Sequence, residues 1–539
     1  MKNIKIINKI MVLSTLFVVF GCKKLDLAPV NTFTDLNYWT TPAKAASVLN
    51  TAYAQMFDNN SFFLNEAFSD NAYNGRGDAE GAASIAAGTY DPSLQRFKDE
   101  WGRRYGAIKT VHIILENIEK VPNMDPNLRE RMKAEARFIR AFQFFQLTTW
   151  FGDVPLFQKD LTIEESKTIS RSSRSEVLAF VLSELDAVSA ILPVSYADVD
   201  KGRITKGAAL GMKARVLLYD SRWQELATTC EQIMSANTYS LFPSYEGLFL
   251  PQNENNSEVI FDMQYVPLLR TYSNFFDYAP ISVGARLNNF APTQELVDNY
   301  VMLNGKAIGE TGSGYVEADP YVNRDPRLSN TVVYHLFKWK KPDNSLQTIY
   351  IKPGSDPNQA TKLDEYAPGS VTSPTGYYLR KYYDPNSANN FQSGLNLILI
   401  RYADVLLMYA EAKNELSQLT SAVWDQTIKP LRTRAGFTDP AALNFPSLAQ
   451  GPMRTLIRNE RRSELAMEGL RIFDIRRWRT AETVLNGFAH GAKFGPPSID
   501  NGYIRANQRV FDPARNYLWP IPRDERAINS NLTQNPGYN

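Results

Sequence analysis

The sequence predicts a mainly α fold in which antiparallel helix pairs, stacked as in tetratricopeptide-type arrays, flank an irregular, loop-rich middle. Three observations carry this. Apolar residues recur at helical spacing in successive segments between 41 and 235 and again between 397 and 469, with short turns between them. Between Lys306 and Asn390 the periodicity gives way to Gly, Pro, Asp, Asn and Tyr. The chain of 539 residues is 44% hydrophobic with a formal net charge of +2, long and apolar enough to bury a large core.

Taken in order, residues 25–37 are turn-like, a tether into the body. Thr41-Pro42 supplies an N-cap and first-turn pair for a helix to about Phe57, with Ala45, Val48, Leu49, Ala52, Tyr53 and Met56 recurring at helical spacing. The stretch 59–92, with Asn74-Gly75-Arg76-Gly77-Asp78, reads as a long loop, and its Phe and Tyr content sets it apart from a linker. Helices follow at about 96–120, 126–150, 175–192, 206–219 and 223–235; no clean 34-residue period is visible, so any repeats are degenerate. Residues 258–265 alternate as a strand, 293–303 make a helix, and 306–390 is irregular. Helices resume at 397–416, 422–435 and 452–469, and Leu518-Trp519-Pro520-Ile521-Pro522 reads as a packed, non-repetitive tail. Residues 22–539 thus form one body: a helical part to 238, an irregular insertion over 239–394, and a second helical part with its tail from 395.

The first residues speak to location. Lys2, Lys5 and Lys9 precede a short apolar run, Ile10 to Phe20, that closes on Gly21-Cys22. About 11 apolar residues are too few to span a bilayer, so residues 1–21 read as a signal peptide. Cleavage before Cys22 would leave its thiol to be acylated, and two or more acyl chains give stable anchoring. With 59 Lys and Arg against 57 Asp and Glu, the chain has no bulk electrostatic footprint for nucleic acid. Two cysteines exclude a disulfide scaffold, Cys230 reading as a buried small hydrophobe, and three isolated histidines offer no zinc motif. No cofactor and no metal is expected. Glycosidase chemistry needs two facing carboxylates; Glu164-Glu165, Asp70 with Asp78, and Asp364-Glu365 are acidic pairs of an ordinary surface kind, and catalysis is not expected.

The segment Leu399-Ile400-Arg401-Tyr402-Ala403-Asp404-Val405-Leu406-Leu407-Met408-Tyr409-Ala410-Glu411-Ala412 resembles the SusD/RagB family of outer-membrane nutrient-binding lipoproteins. Further stretches match it in order: Leu25-Asp26 with Tyr38-Trp39-Thr40-Thr41, Ile457 to Arg462 with Gly469 to Trp478, and Tyr517 to Pro522. The resemblance implies four tetratricopeptide-like helix pairs and an irregular ligand-facing part. It also implies a lipoprotein on the outer face of the outer membrane that caps a SusC-like TonB-dependent porin and captures oligosaccharides, or in some members peptides, without catalysis.

The motif charges themselves read as architecture. Arg401, Asp404 and Glu411, with Arg458, Glu460, Arg461, Glu464, Glu468, Asp474, Arg476 and Arg477, are expected to form buried Arg to carboxylate networks. Sugar capture needs aromatic faces for the C–H faces of pyranose rings and polar edges for hydroxyls. Two regions offer that composition: the early loop, with Phe68, Asp70, Tyr73, Asn74, Arg76 and Asp78, and the irregular middle, with Tyr272, Tyr278, Arg286, Trp339, Tyr377 and Tyr378. Trp101, with Tyr105 and Ile108 four and seven residues on, is expected in the core.

Overall fold

The computed structural model describes residues 38–538 except 76, 274–276 and 386–390; Cys22 and Arg76 therefore lie outside the described residues. The helical part begins as the capping signals require. Helix α1, Pro42–Met56, starts with Pro42 in its first turn and the Thr41 side chain accepting the Lys44 N–H. Helix α2, Asn59–Ala67, is capped by Asp58, whose carboxylate accepts from the Ser61 N–H at 2.8 Å. A short strand β1, Ala72–Asn74, follows.

Helices α3, Gln95–Asn117, α4, Pro126–Phe151, α5, Arg174–Ile191, α6, Lys206–Tyr219, and α7, Trp223–Ser235, then pack each against the next. Their starts are chemically fixed: Asp125 caps α4 ahead of Pro126, and Ser173 with Glu176 forms a reciprocal capping box on α5. Helix α4 ends at Gly152, whose φ of +73° only glycine adopts without strain.

The middle is built of two-stranded pieces rather than one sheet. Strands β2, Val259–Met263, and β3, Phe290–Pro292, precede the short helix α8, Gln294–Asn299. Then come β4, Val332–Val333, β5, Phe337–Lys340, β6, Leu346–Ile349, β7, Tyr378–Leu379, and β8, Leu397–Arg401. All pairings are antiparallel: β1 with β3, β2 with β8, β4 with β7 and β5 with β6.

Helices return as α9, Tyr402–Glu415, α10, Ser421–Gln426, α11, Ile428–Ala435, α12, Gln450–Glu464, and α13, Arg471–Arg477. Helix α9 packs between α7 and α12, so the second helical part continues the stack of the first. A hairpin of β9, Gly487–His490, and β10, Arg505–Arg509, and the packed tail close the chain. Trp519 of that tail is buried and stacked on Trp150 with ring centroids 3.8 Å apart.

Four expectations need correction. Residues 59–92 are not a loop: Phe62, Phe63, Leu64 and Phe68 bury into the core, and that burial outweighs the local Gly and Asn density. The helix expected from Leu397 begins only at Tyr402, because the run Leu397-Ile398-Leu399-Ile400 is strand β8, buried against β2. The helix expected over 293–303 stops at Asn299, where the chain turns into a bridge between Met302 and Arg324. The last expected helix, to Gly469, ends at Glu464.

Most of the motif charges form two interior clusters. Arg401, 1% exposed, donates to Glu258 at 2.7 Å, Glu464 at 2.6 Å and Glu468 at 2.7 Å. Arg327 meets Asp325, Glu460 and Glu464, Arg432 meets Glu460, Arg434 meets Glu258 and Glu464, and Lys381 meets Glu468. Five cations thus face five carboxylates, and the cluster is neutral. A second cluster links Arg461 to Asp404 and Asp474, Arg215 to Asp404, and Arg477 to Asp474 and Glu411. Burial alone would raise these carboxyls; for Glu464, Arg434, Arg401 and Arg327 outweigh it and hold it well below the usual carboxylate range. Arg458 and Arg476 depart from the expectation: instead of carboxylates they lie over the rings of Trp478 and Trp150, at 4.5 and 4.7 Å.

Candidate functional site

The fold brings the early segment and the irregular middle together through β1 and β3, where Tyr73 stands opposite Ala291 and Asn74 opposite Phe290. The Gly75 N–H continues the contact by donating to the Asn289 carbonyl at 2.7 Å.

Most residues expected to face a ligand do not reach solvent. Asp70 is buried against Arg471 at 2.8 Å and Arg462 at 3.0 Å, which overcome its burial and keep it ionised. Asn74, at the end of β1 opposite Phe290, is buried. Tyr272 packs on Tyr265, Tyr278 on Phe63 and Phe290, and Trp339 on Tyr383, all three buried. Tyr378 is buried with its hydroxyl donating to the Asp364 carbonyl, and Tyr377 donates to Gln294 at 2.6 Å. Tyr272, Tyr278 and Tyr377 join the main core beside residues such as Phe63, whereas Trp339 and Tyr378 form a small core of their own with Val333, Phe337, Ile349 and Ile351, because two-stranded pieces have no broad sheet face to pack. Asp78 is exposed but spent locally, accepting from the Ala83 and Ser84 N–H groups at the start of a short helix. Arg286 is exposed, paired with Asp277 at 2.8 Å and lying over Phe391. Trp101 packs on Tyr105 and Phe151 in the core, as its spacing indicates.

Tyr73 alone of the expected aromatics keeps partial exposure. A Cβ on Gly75 would lie 2.8 Å from the Tyr73 ring and would collide with Pro374, so Tyr73, Gly75 and Pro374 form one continuous surface. Beneath it the buried Thr375 accepts from the N–H of the equally buried Ala492 at 2.7 Å, which ties this segment to the chain leading through Lys493 into the turn between β9 and β10. Here Glu317, Lys493, Gly495, Pro497, Asn501, Gly502 and Tyr503 line an open cleft of about 650 Å³. The half-buried Tyr503 ring forms one wall, with the Lys493 ammonium 5.5 Å from its centre and paired to Glu317. The Asn501 amide and the Glu317 carboxylate supply a donor and acceptors at the rim.

None of these four side chains was expected from the sequence. Gly495-Pro496-Pro497-Ser498-Ile499-Asp500-Asn501-Gly502-Tyr503 does carry a turn signature between two strands, and it signals the hairpin. What it does not signal is that this hairpin folds back against residues more than 400 positions earlier.

Two other hollows differ in character. One of about 660 Å³ lies where α4, α6 and α13 end, among Arg171, Arg174, Arg476, Arg477, Asp153 and Asp220. Its arginines are largely committed to those ends: Arg171 donates to the Phe151 and Asp153 carbonyls and Arg174 to that of Tyr219. The other, about 610 Å³, is a shallow groove along Phe242, Pro243, Lys429 and Pro430. Among the described residues no three His, Cys, Asp or Glu gather as metal ligands, and no helix is long and apolar enough to cross a membrane.

Comparison with known proteins places this architecture. A family model described as the SusD family matches residues 257–538, and one described as starch-binding, associating with the outer membrane, matches residues 25–218. SusD-like protein P2 of Formosa agariphila is 26% identical over 98% of this chain and 99% of its own length. A SusD-like carbohydrate binding protein of Bacteroides fragilis superposes with a TM-score of 0.82 at 28% identity, covering 92% of this chain and all of that one. A laminarin binding SusD-like protein shares the fold, with a TM-score of 0.67 at 23% identity over 93% of this chain and all of its own. With the stacked helix pairs, the buried motif charges and these matches along nearly its whole length, the chain belongs to the SusD/RagB family of outer-membrane proteins.

Proposed function

We propose that this protein captures oligosaccharides in the Tyr503 cleft and delivers them to a SusC-like TonB-dependent porin, held at the membrane by lipid on Cys22. Non-enzymatic ligand binding and delivery at the outer membrane is the role that family membership carries; the sugar, the porin and the anchor are the proposal. The observation that supports a sugar is the composition of the cleft. It pairs an aromatic wall, Tyr503, with a small set of hydrogen-bonding edges, Asn501, Glu317 and Lys493, and the Lys493 to Glu317 pair leaves its charge balanced. Such a surface suits a neutral polyhydroxylated ring, whose C–H face covers the tyrosine while its hydroxyls exchange water for protein partners. About 650 Å³ accommodates a few sugar residues. Tyr73, partly exposed beside Gly75 and Pro374, and Arg286 are further candidates outside the cleft.

The test is calorimetric titration of the purified body with neutral glycans and, alongside, a mixed peptide digest. Binding of a glycan in the micromolar to millimolar range, about 4 to 8 kcal/mol, with no shortening of the sugar over time is expected. Binding confined to peptides would assign the cleft to peptide capture instead.

A further inference from the structure

The turn that carries Asn501 and Tyr503 into the cleft is strained. Asp500, Asn501 and Gly502 have φ of +46°, +55° and +89°, three consecutive left-handed residues, and only the third is glycine. Non-glycine residues are disfavoured in that region and persist where surrounding contacts impose them. Backbone bonds close the loop: Gly502 donates to the Ile499 carbonyl, Tyr503 to that of Asp500, and Gly495 to that of Gly502. They do not hold the Asp500 side chain, and two side chains do. Arg505 of β10 binds it through both oxygens, at 2.6 and 2.9 Å, and His490 of β9 approaches with Nε2 at 3.2 Å.

The other ring nitrogen of His490, Nδ1, lies 2.8 Å from the Glu295 carboxylate of α8. Glu295 also accepts the His490 backbone N–H at 3.0 Å. A neutral imidazole has a single N–H, so it can donate to one of these carboxylates only, while its other nitrogen turns a lone pair on the second. The imidazolium donates to both. His490 thus spans from helix α8, which follows β3 directly, to the strained turn at the cleft.

We propose that His490, in its doubly protonated form, is the positioning residue that fixes the Asp500 to Tyr503 turn, and so makes ligand capture in this cleft fall as pH rises. The inference rests on the assignment of the cleft as the ligand site. The charged groups around His490 are Glu295 from α8, Asp500 from the turn, Arg505 beside Asp500, and, reaching Glu295 through space, Arg462 of α12 and Arg509 of β10. Tyr503 meets the imidazole edge to face at 6.2 Å, and Lys493 lies beyond that ring. The hydrogen bond and charge of Glu295, with those of Asp500, outweigh partial burial and raise the His490 pKa above its ordinary value. The sign follows: the bridge is complete below the ordinary histidine pKa of about 6.5 and is lost as pH rises through the raised value.

Three histidines make this directly measurable. Burial lowers His112, to about 4, and lowers His335, so a histidine Cε1 resonance titrating above about 6.5 belongs to His490, with His490→Gln confirming the assignment. Hydrogen exchange of the segment 491–504, corrected for its intrinsic pH dependence, reports the turn without any ligand. Wild type should lose protection about fivefold between pH 6 and pH 9, the equivalent of one net hydrogen bond, and His490→Gln should show the lower protection at both pH values. Laminarihexaose serves as the binding probe: its affinity for wild type should drop with the same midpoint and be flat with pH for His490→Gln. Equal exchange in wild type and variant at both pH values, or a His490 resonance titrating at or below 6.5, would overturn the proposal. Failure of laminarihexaose and every other glycan to bind wild type would overturn the cleft assignment instead, and the exchange result would still decide the clamp.

Discussion

Replacing Arg401 by Met should be the most damaging single change in the motif segment, although no ligand is involved. The guanidinium makes hydrogen bonds to Glu258, Glu464 and Glu468 and to the Glu464 carbonyl, all buried. Methionine fills most of the volume but leaves four cations against five carboxylates in a dry interior. Removing one partner of a buried pair costs about 3 to 5 kcal/mol. Glu258 retains Arg434, Glu464 retains Arg327 and Arg434, and Glu468 retains Lys381, so the loss lies within that range rather than above it. For a body of about 500 residues the unfolding entropy is about 1 kcal/mol/K, and Tm should fall by about 3 to 5 °C in differential scanning calorimetry. Arg401→Met with Glu464→Gln restores neutrality, four against four, and should recover part of the loss. A single variant melting within about 1 °C of wild type, or a double variant worse than the sum of both singles, would refute the claim that charge balance holds this interior together.

Other outcomes follow from the same physics. Trp339→Ala should lower Tm, because the indole is buried on Tyr383 and a large-to-small change there costs about 3 to 5 kcal/mol; a glycan titration should show unchanged affinity. Acid should unfold the protein steeply: burial raises and the arginines more strongly lower Glu464, Glu468, Glu460 and Glu411, so their stabilisation is present above the unfolded value of about 4.3 and lost as pH falls below it, checked by circular dichroism from pH 7 to pH 2. Cys22→Ala should yield a folded protein released from membranes in fractionation, since covalent lipid is the proposed anchor and no described helix can span.

The helices were legible because their signals are local. Thr41-Pro42 and Asp125-Pro126 set starts that the structure keeps. The buried charges were legible for a different reason: Asp404 and Glu411 lie seven residues apart with apolar Leu406, Leu407 and Ala410 between them, where only pairing makes a charge tolerable. Strand β8 was not, since a short apolar run reads equally as helix until its partner β2 is known. The ligand-facing surface was the least legible. Tyrosine and tryptophan serve as core and as platform with the same residue types, and Trp339 and Tyr503 differ only in what packs over them. That difference is set by contacts between segments hundreds of residues apart, to which composition is blind.

The central claim is that Tyr503 offers its ring to a sugar. Calorimetric titration of wild type and Tyr503→Ala with a panel of neutral glycans tests it most directly, each protein also being melted. The account predicts a glycan that binds wild type, an affinity about fivefold or more weaker in the variant, the worth of one aromatic contact, and equal Tm values. The same glycan binding both proteins with equal affinity would contradict it.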